Sequence, residues 1–298
     1  MPRPWAVILA GGDGARLQGV TTALTGEPTP KQFCRLLSQR TLLDDTRQRL
    51  HGLADDRRTV VLVSSPHRRF YEGLQRDRPP ELLAEQPANN GTAVGMAFAL
   101  GRIRRGDRDP IVAFFPSDHH YANDGAFREA VAAAYRIAAS NRGRLVLVGA
   151  TPHAPEPDYG WIEPGGALEP SDADHAAYAV NRFWEKPDAP VAVRLFRNRC
   201  LWNTFITVGT LEAYCGAFAA TEPGLAAVVD AVAAVPAADE ARVVDGVYQQ
   251  LPKLCFSSRV LAASPERCVV VPLHASGWID IGRPDRLAGV RTLDARSA

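Results

Sequence analysis

"WAVILAGGDGARL", residues 5–17, runs a strand's length of apolar residues straight into a glycine-rich turn. Glycines let a backbone come close to a ligand and aim N–H groups at it, so a strand followed by such a turn suits an anion. Two familiar loops fail on spacing. A dinucleotide fingerprint counted from Gly12 needs a last glycine where Leu17 stands. A Walker A loop counted from Gly14 reaches Gly19 and then meets Val20 instead of lysine. What remains is strand, G-G-x-G-x-R-L, and a later Pro30-Lys31. Arg16 offers a permanently charged bidentate clamp and Lys31 a second point charge. Taken alone, the loop equally suits a tight turn with two surface cations. Asp13 sits inside it, and we read that acid as a tolerated position whose side chain turns away from any anion.

Outward from this stretch, apolar runs of strand length alternate with helical patterns. Strands are predicted at 5–10, 59–65, 111–117 and 144–150, with helices at about 41–51, 92–105 and 125–141. Asp124 is the expected N-cap of the last helix and Gly52 the expected stop of the first. Strands apolar on both faces and separated by helices predict an α/β fold: a Rossmann-like, doubly wound, mostly parallel but mixed sheet with helices on both faces. Beyond residue 151, short extended pieces are predicted at 159–165, 180–187 and 201–209, Ala-rich helix at 210–251, and closing strands at 268–273 and 278–282. The mixed-charge run 102–110 reads as a solvated turn. No stretch reads as a linker, so residues 1–298 are expected to form one domain with two halves, 1–150 and 151–298.

The 298 residues are 46% hydrophobic with net charge +1, enough for a large core and too balanced to favour nucleic acid or an anionic membrane. Five scattered cysteines without CxxC spacing fit a reducing, cytoplasmic setting. No segment approaches the ~20 apolar residues of a membrane span. "FFPSDHH" (114–120) puts Asp118 just past an apolar strand, where open α/β sheets bind ligands. "WIDIG" (278–282) offers Asp280, an acid that is costly in an apolar strand unless paired or coordinated. Two such carboxylates can share one hard cation such as Mg2+.

The blocks "LAGGDGARL…PKQF" (9–33), "EQPANNGTA" (85–93), "FPSDHH" (115–120), "YGWIEPG" (159–165), "FWEKPD" (183–188), "LWNTF" (201–205) and "WIDIG" (278–282) stand in the order found in sugar-1-phosphate nucleotidyltransferases. The chain resembles the mannose-1-phosphate guanylyltransferases most. The resemblance implies that Gly11, Gly12 and Gly14 line a nucleoside triphosphate, with Arg16 and Lys31 on its phosphates. It implies Gln86, Gly91, Thr92 and Ser117 beside the nucleotide, and Asp118 and Asp280 on Mg2+. Gly160, Glu185 and Asn203 would hold a sugar and Lys186 its phosphate. The implied reaction joins GTP and mannose 1-phosphate into GDP-mannose with release of pyrophosphate, catalysed by Arg16, Lys31, Asp118, Lys186 and Asp280. A monomer and a homodimer are both compatible with it.

Three departures qualify the resemblance. The segment between Arg16 and Lys31 is longer than expected and should close over the triphosphate. Arg259 stands where an acid is expected. The chain ends soon after "WIDIG", without room for a C-terminal β-helix. The alternatives are the same chemistry with UTP, dTTP, ATP or CTP, and a catalytically weak nucleotide-sugar-binding regulator. A glycosyltransferase is disfavoured because Asp118 is followed by His119-His120 and not by an Asp-x-Asp motif.

Overall fold

On strand β1 (Trp5–Leu9), Val7 faces one core while Ala6 and Ile8 face another, and all three are fully buried. The computed structural model describes residues 4–77, 79, 82–168 and 176–297, and the same two-sided burial recurs through its central sheet. The strands that follow are β2 (Thr59–Ser64), β3 (Leu83–Gln86), β4 (Ile111–Pro116), β5 (His119–His120), β6 (Leu145–Ala150) and β7 (Gly160–Ala167). The remainder are β8 (Tyr178–Glu185), β9 (Leu201–Thr210), β10 (Cys268–Leu273) and β11 (Ile279–Asp280). Nine strands form one sheet in the order β3-β2-β1-β4-β9-β6-β10-β8-β7. Parallel pairs join β1 to β2 and β4, β2 to β3, and β6 to β10. Strand β9 lies antiparallel between β4 and β6, and β8 runs antiparallel to β7 and β10. Only β8 and β9 therefore oppose the common direction, as a mostly parallel, mixed sheet requires.

The helices are α1 (Gln18–Thr25), α2 (Leu42–Leu50), α3 (Arg68–Asp77), α4 (Thr92–Gly106) and α5 (Asp124–Ser140), then α6 (Ala189–Arg197), α7 (Leu211–Thr221), α8 (Pro223–Ala233), α9 (Glu240–Gln250) and α10 (Pro284–Ser297). Helices α4, α7, α8 and α9 cover one face of the sheet, and α2, α5 and α6 the other. The Ala-rich stretch is three helices because Pro223 opens α8 and Pro236 interrupts before α9.

Several expectations need correction. Asn123, not Asp124, caps α5, its Oδ1 accepting from the Ala126 N–H at 3.0 Å. Arg102–Gly106 is not a turn but the last part of α4, and Asp107 beyond it accepts from Trp5 and Arg58. "WIDIG" does not close the main sheet. Its two-residue β11 pairs antiparallel with β5 in a separate ribbon. Gly52 does follow α2 in the left-handed conformation, with φ 84°.

Candidate active site

A cavity of about 450 Å3 opens beyond the C-terminal ends of β1 to β4, where Leu9, Leu62, Gln86 and Pro116 form its floor. It extends across to β7, β8 and β9. Every site residue named from the sequence lines it: Gly11, Gly12, Gly14, Arg16, Lys31, Gln86, Gly91, Thr92, Ser117, Asp118 and Asp280 on one side, and Gly160, Glu185, Lys186 and Asn203 on the other.

The glycine loop is tied down from behind. Gln32 Nε2 donates to the carbonyls of Ala10 (2.9 Å) and Gly12 (2.7 Å), and Ser64 Oγ donates to Gly11 (3.0 Å). A trans peptide points its N–H opposite to its C=O, so the N–H groups of Gly11, Gly12 and Asp13 turn away from those partners. Gly14 has φ 64°, and a Cβ there would stand 3.0 Å from the Lys31 nitrogen. Gly91, just before α4, has φ 87°, and a Cβ would fall 2.3 Å from the Leu254 carbonyl oxygen. Gln86 lines the cavity with its amide already engaged, Nε2 donating to Ser64 Oγ and Oε1 accepting from Tyr248. Ser117 Oγ donates to the Leu9 carbonyl at 2.7 Å.

Asp13 does not line the cavity. Its carboxylate lies 3.3 Å from His67 Nε2 and accepts from Asn89 Nδ2 at 3.2 Å, linking the loops that follow β1, β2 and β3 across the rim. The expected outward orientation is therefore combined with a tether.

The charged centre is Lys31. Its Nζ lies 2.9 Å from Asp118 Oδ2 and 3.6 Å from Asp280 Oδ1, and donates to the Ile281 carbonyl at 2.7 Å. Burial would lower the ammonium pKa, but Asp118 and Asp280 outweigh it and hold it above the ordinary lysine value. At Asp280, burial, which lifts a carboxyl, is outweighed by His119, Lys31, Arg286 and Arg16, so it lies below the usual range. The β5–β11 ribbon brings the two acids together by pairing Asp280 with His119. Trp278 Nε1 donates to His119 Nδ1 at 3.1 Å, so the neutral ring carries its proton on Nε2. That nitrogen lies 3.9 Å from Asp118 and 3.7 Å from Asp280.

These carboxylates fit a divalent cation: one positive charge, the Lys31 ammonium, already stands between them. Among the described residues no group of three or more His, Cys, Asp and Glu is disposed to hold a metal. Two carboxylates suit Mg2+, which takes few protein oxygens and completes its shell with water and phosphate.

On the opposite wall, β9 bulges against β6 between the pairs Leu147–Thr207 and Gly149–Asn203. Thr204 Oγ1 donates to the Val148 carbonyl, Phe205 adopts φ 65°, and Asn203 Oδ1 accepts from the Phe205 N–H. Strained non-glycine backbone of this kind gathers at ligand sites, and Lys186 shares it with φ 47°. Burial raises the Glu185 carboxyl pKa, with Lys186 Nζ 3.8 Å away opposing it. A Cβ on Gly160 would meet Asn203, Phe183 and Glu185 at 3.2–3.3 Å, so this wall closes best with glycine there.

Two departures seen in the sequence lie outside the cavity. The residues between Arg16 and Lys31 begin with the surface helix α1, and none of them lines the wall, contrary to the expected closing loop. Arg259 pairs with Glu222 on the surface, while Cys255 and Ser257 of the same segment reach the cavity. Arg16, exposed on the turn Ala15–Leu17, makes no ion pair with a described residue.

Comparison with known proteins bears on the family and the fold. A family model described as "Nucleotidyl transferase" matches residues 5–296. The chain belongs to the nucleotidyl transferase family. A Klebsiella pneumoniae mannose-1-phosphate guanylyltransferase is 32% identical over 93% of this nucleotidyl transferase and 57% of its own length. An Escherichia coli protein of the same name is 31% identical, with the same coverage. The chain thus spans under two thirds of these curated relatives. A crystal structure from Thermus thermophilus, described as a mannose-1-phosphate geranyltransferase, superposes with TM-score 0.79 at 26% identity, covering 94% of this chain and 76% of that one.

Sequence reasoning passed over His119, Asn89, Asp158, Tyr159 and Phe205, which line the cavity, and Arg286 behind it. His119, Asn89, Tyr159 and Phe205 stood inside quoted motifs. Arg286, on α10, carried no signal. Its guanidinium lies 3.1 Å from Glu156, 3.4 Å from Asp158 and 3.8 Å from Asp280, and stacks 4.2 Å from the Tyr159 ring centre. Among the described residues no helix is long and apolar enough to cross a membrane, and all five cysteines are free.

Proposed function

We propose that this chain transfers a nucleotidyl group from a nucleoside triphosphate to a sugar 1-phosphate, releasing pyrophosphate, with GTP and mannose 1-phosphate as the substrates. The observation that carries the reading is the meeting of Lys31, Asp118 and Asp280 in one cavity whose far wall holds Lys186, Glu185 and Asn203. The sugar-phosphate oxygen attacks the α-phosphorus in line. It is already anionic near neutral pH, so no side-chain base is needed. The difficulty is bringing two anions together, which calls for fixed positive charge and fixed geometry. Arg16 lines the cavity without an ion pair to any described residue and suits the triphosphate. Lys186, 57% exposed and held beside Glu185, suits the phosphate of the sugar. Asp118 and Asp280 would hold Mg2+, which would neutralise phosphate charge. The guanylyl and mannosyl assignments rest on the names of the Klebsiella and E. coli relatives.

A pyrophosphate-release screen tests this, pairing each NTP with mannose, glucose and related sugar 1-phosphates, with Mg2+ and with chelator. Release from GTP and mannose 1-phosphate that chelator abolishes is the expected result. Release with UTP or dTTP alone overturns the guanylyl assignment. Silence from every pair, with folded protein, overturns the reading altogether.

A further inference from the structure

The position of Lys31 has a consequence for how a cation enters this site. Its ammonium occupies the gap between Asp118 and Asp280, 2.9 and 3.6 Å from them, and a third bond ties it to the Ile281 carbonyl. Its side chain is only 11% exposed, so no water layer separates it from the carboxylates. A divalent ion bound to both acids at ordinary Mg–O distances, roughly 2.0–2.1 Å, would compete with the ammonium for the same two carboxylates. Two cations cannot share that gap without strong repulsion at low dielectric.

We propose that Lys31 is an internal counter-ion that holds the cation site closed until a polyphosphate arrives. The incoming phosphate offers the ammonium a new partner and draws it off the carboxylates, which then become available to the metal. Cation and nucleotide therefore bind together, and the free protein has little affinity for the cation alone. His119 supports this arrangement. Its Nε2 lies 3.9 and 3.7 Å from the two carboxylates and its ring is held by Trp278, a contact that does not depend on Lys31. The inference rests on the two-carboxylate cation site of the proposed function.

The test is a titration of the ligand-free protein with Mn2+ alone, following the free-ion signal by electron paramagnetic resonance. Lys31→Met removes the charge and keeps the aliphatic stem, and should tighten Mn2+ binding at least about tenfold over wild type. The gain should disappear in the double variant Lys31→Met with Asp118→Asn. Lys31→Gln gives the same comparison where circular dichroism shows the Met variant misfolded. Equal or weaker Mn2+ binding in the folded Lys31 variant overturns the proposal, as does a gain that survives Asp118→Asn. If wild type still releases pyrophosphate with Mg2+ under either outcome, the counter-ion role fails while the transferase reading stands.

Discussion

Arg286 is where stability and cation binding should separate most informatively. Its side chain is 9% exposed and serves Glu156, Asp158 and Asp280 at once, while its Nη1 has no hydrogen-bond partner among the described residues. Replacing it by methionine keeps the packing on Tyr159 and deletes the charge. Breaking a fully buried ion pair typically costs about 3–5 kcal/mol. Here Glu156 and Asp158 keep 26% and 40% of their side-chain surface, and Asp158 retains Arg283 at 2.9 Å. A loss of about 2–3 kcal/mol is therefore expected. Unfolding entropy of about 2.1 cal/mol/K per residue makes each kcal/mol worth roughly 1.6 °C in a chain of 298 residues. Arg286→Met should thus lower Tm by about 3–5 °C.

The catalytic expectation is distinct. Arg286 does not itself line the cavity but backs wall residues Asp158, Tyr159 and Asp280, and it acts on the cation site through Asp280, so it is a positioning residue. Groups that orient metal ligands typically change metal affinity about 10–100-fold when removed. The half-saturating Mg2+ concentration for pyrophosphate release should rise about tenfold, with the KM for sugar phosphate little changed. Arg286→Lys, which restores a charge without the fork, should fall between. The measurements are a thermal melt and a Mg2+ titration at saturating nucleotide. If Tm falls as expected while Mg2+ dependence is that of wild type, Arg286 holds α10 in place and does nothing for Asp280, and the reasoning is refuted.

Glu185 should show opposite effects on stability and binding. Its raised pKa means folding disfavours the ionised form, so any stabilisation is complete below the unfolded pKa and lost as pH rises through the folded one. Glu185→Gln should therefore raise Tm near about pH 8 but not near about pH 4, while raising the KM for sugar 1-phosphate; an unchanged KM removes it from the sugar site. Asp13→Ser loses the contacts to His67 and Asn89, but at 59% exposure this should cost under about 1 kcal/mol. Its mark should be a nucleotide KM raised a few-fold at near-normal kcat, and a kcat loss beyond about tenfold would place Asp13 in the chemistry instead.

Legibility in the sequence followed burial. Strands β1, β2, β4, β6 and β10 are apolar on both faces, so each reads as a continuous run that a parallel sheet explains. Strand β3 is "LAEQ", half polar, because Gln86 turns toward Ser64 and Tyr248 and Glu85 toward Arg68 and Tyr71. No local pattern reveals such a strand. The cavity residues were legible because motif order carried them. Their internal partners were not, since Lys31 meets Asp280 only after the chain has travelled 249 residues and turned through β11. Arg286 was invisible for the same reason. In "PDRLAGVR" it resembles any charge on a solvated helix face, and only its meeting with the loop before β7 buries it.

The balance of charge around the cavity explains how acids can be so frequent in a site we propose for anionic substrates. Its lining carries three fixed cations, Arg16, Lys31 and Lys186, against four carboxylates, Asp118, Asp158, Glu185 and Asp280. Formally the wall is one charge negative at rest, which is poor for a triphosphate but good for holding long side chains in place. Lys31 is straightened by two acids and Lys186 stands beside one. A divalent cation turns the deficit of one into a surplus of one, so attraction for the anionic substrates appears together with the ion. The acids then act as a scaffold for positive charge. Lys31, released from them as the phosphates arrive, is the one cation whose position both ligands must agree on.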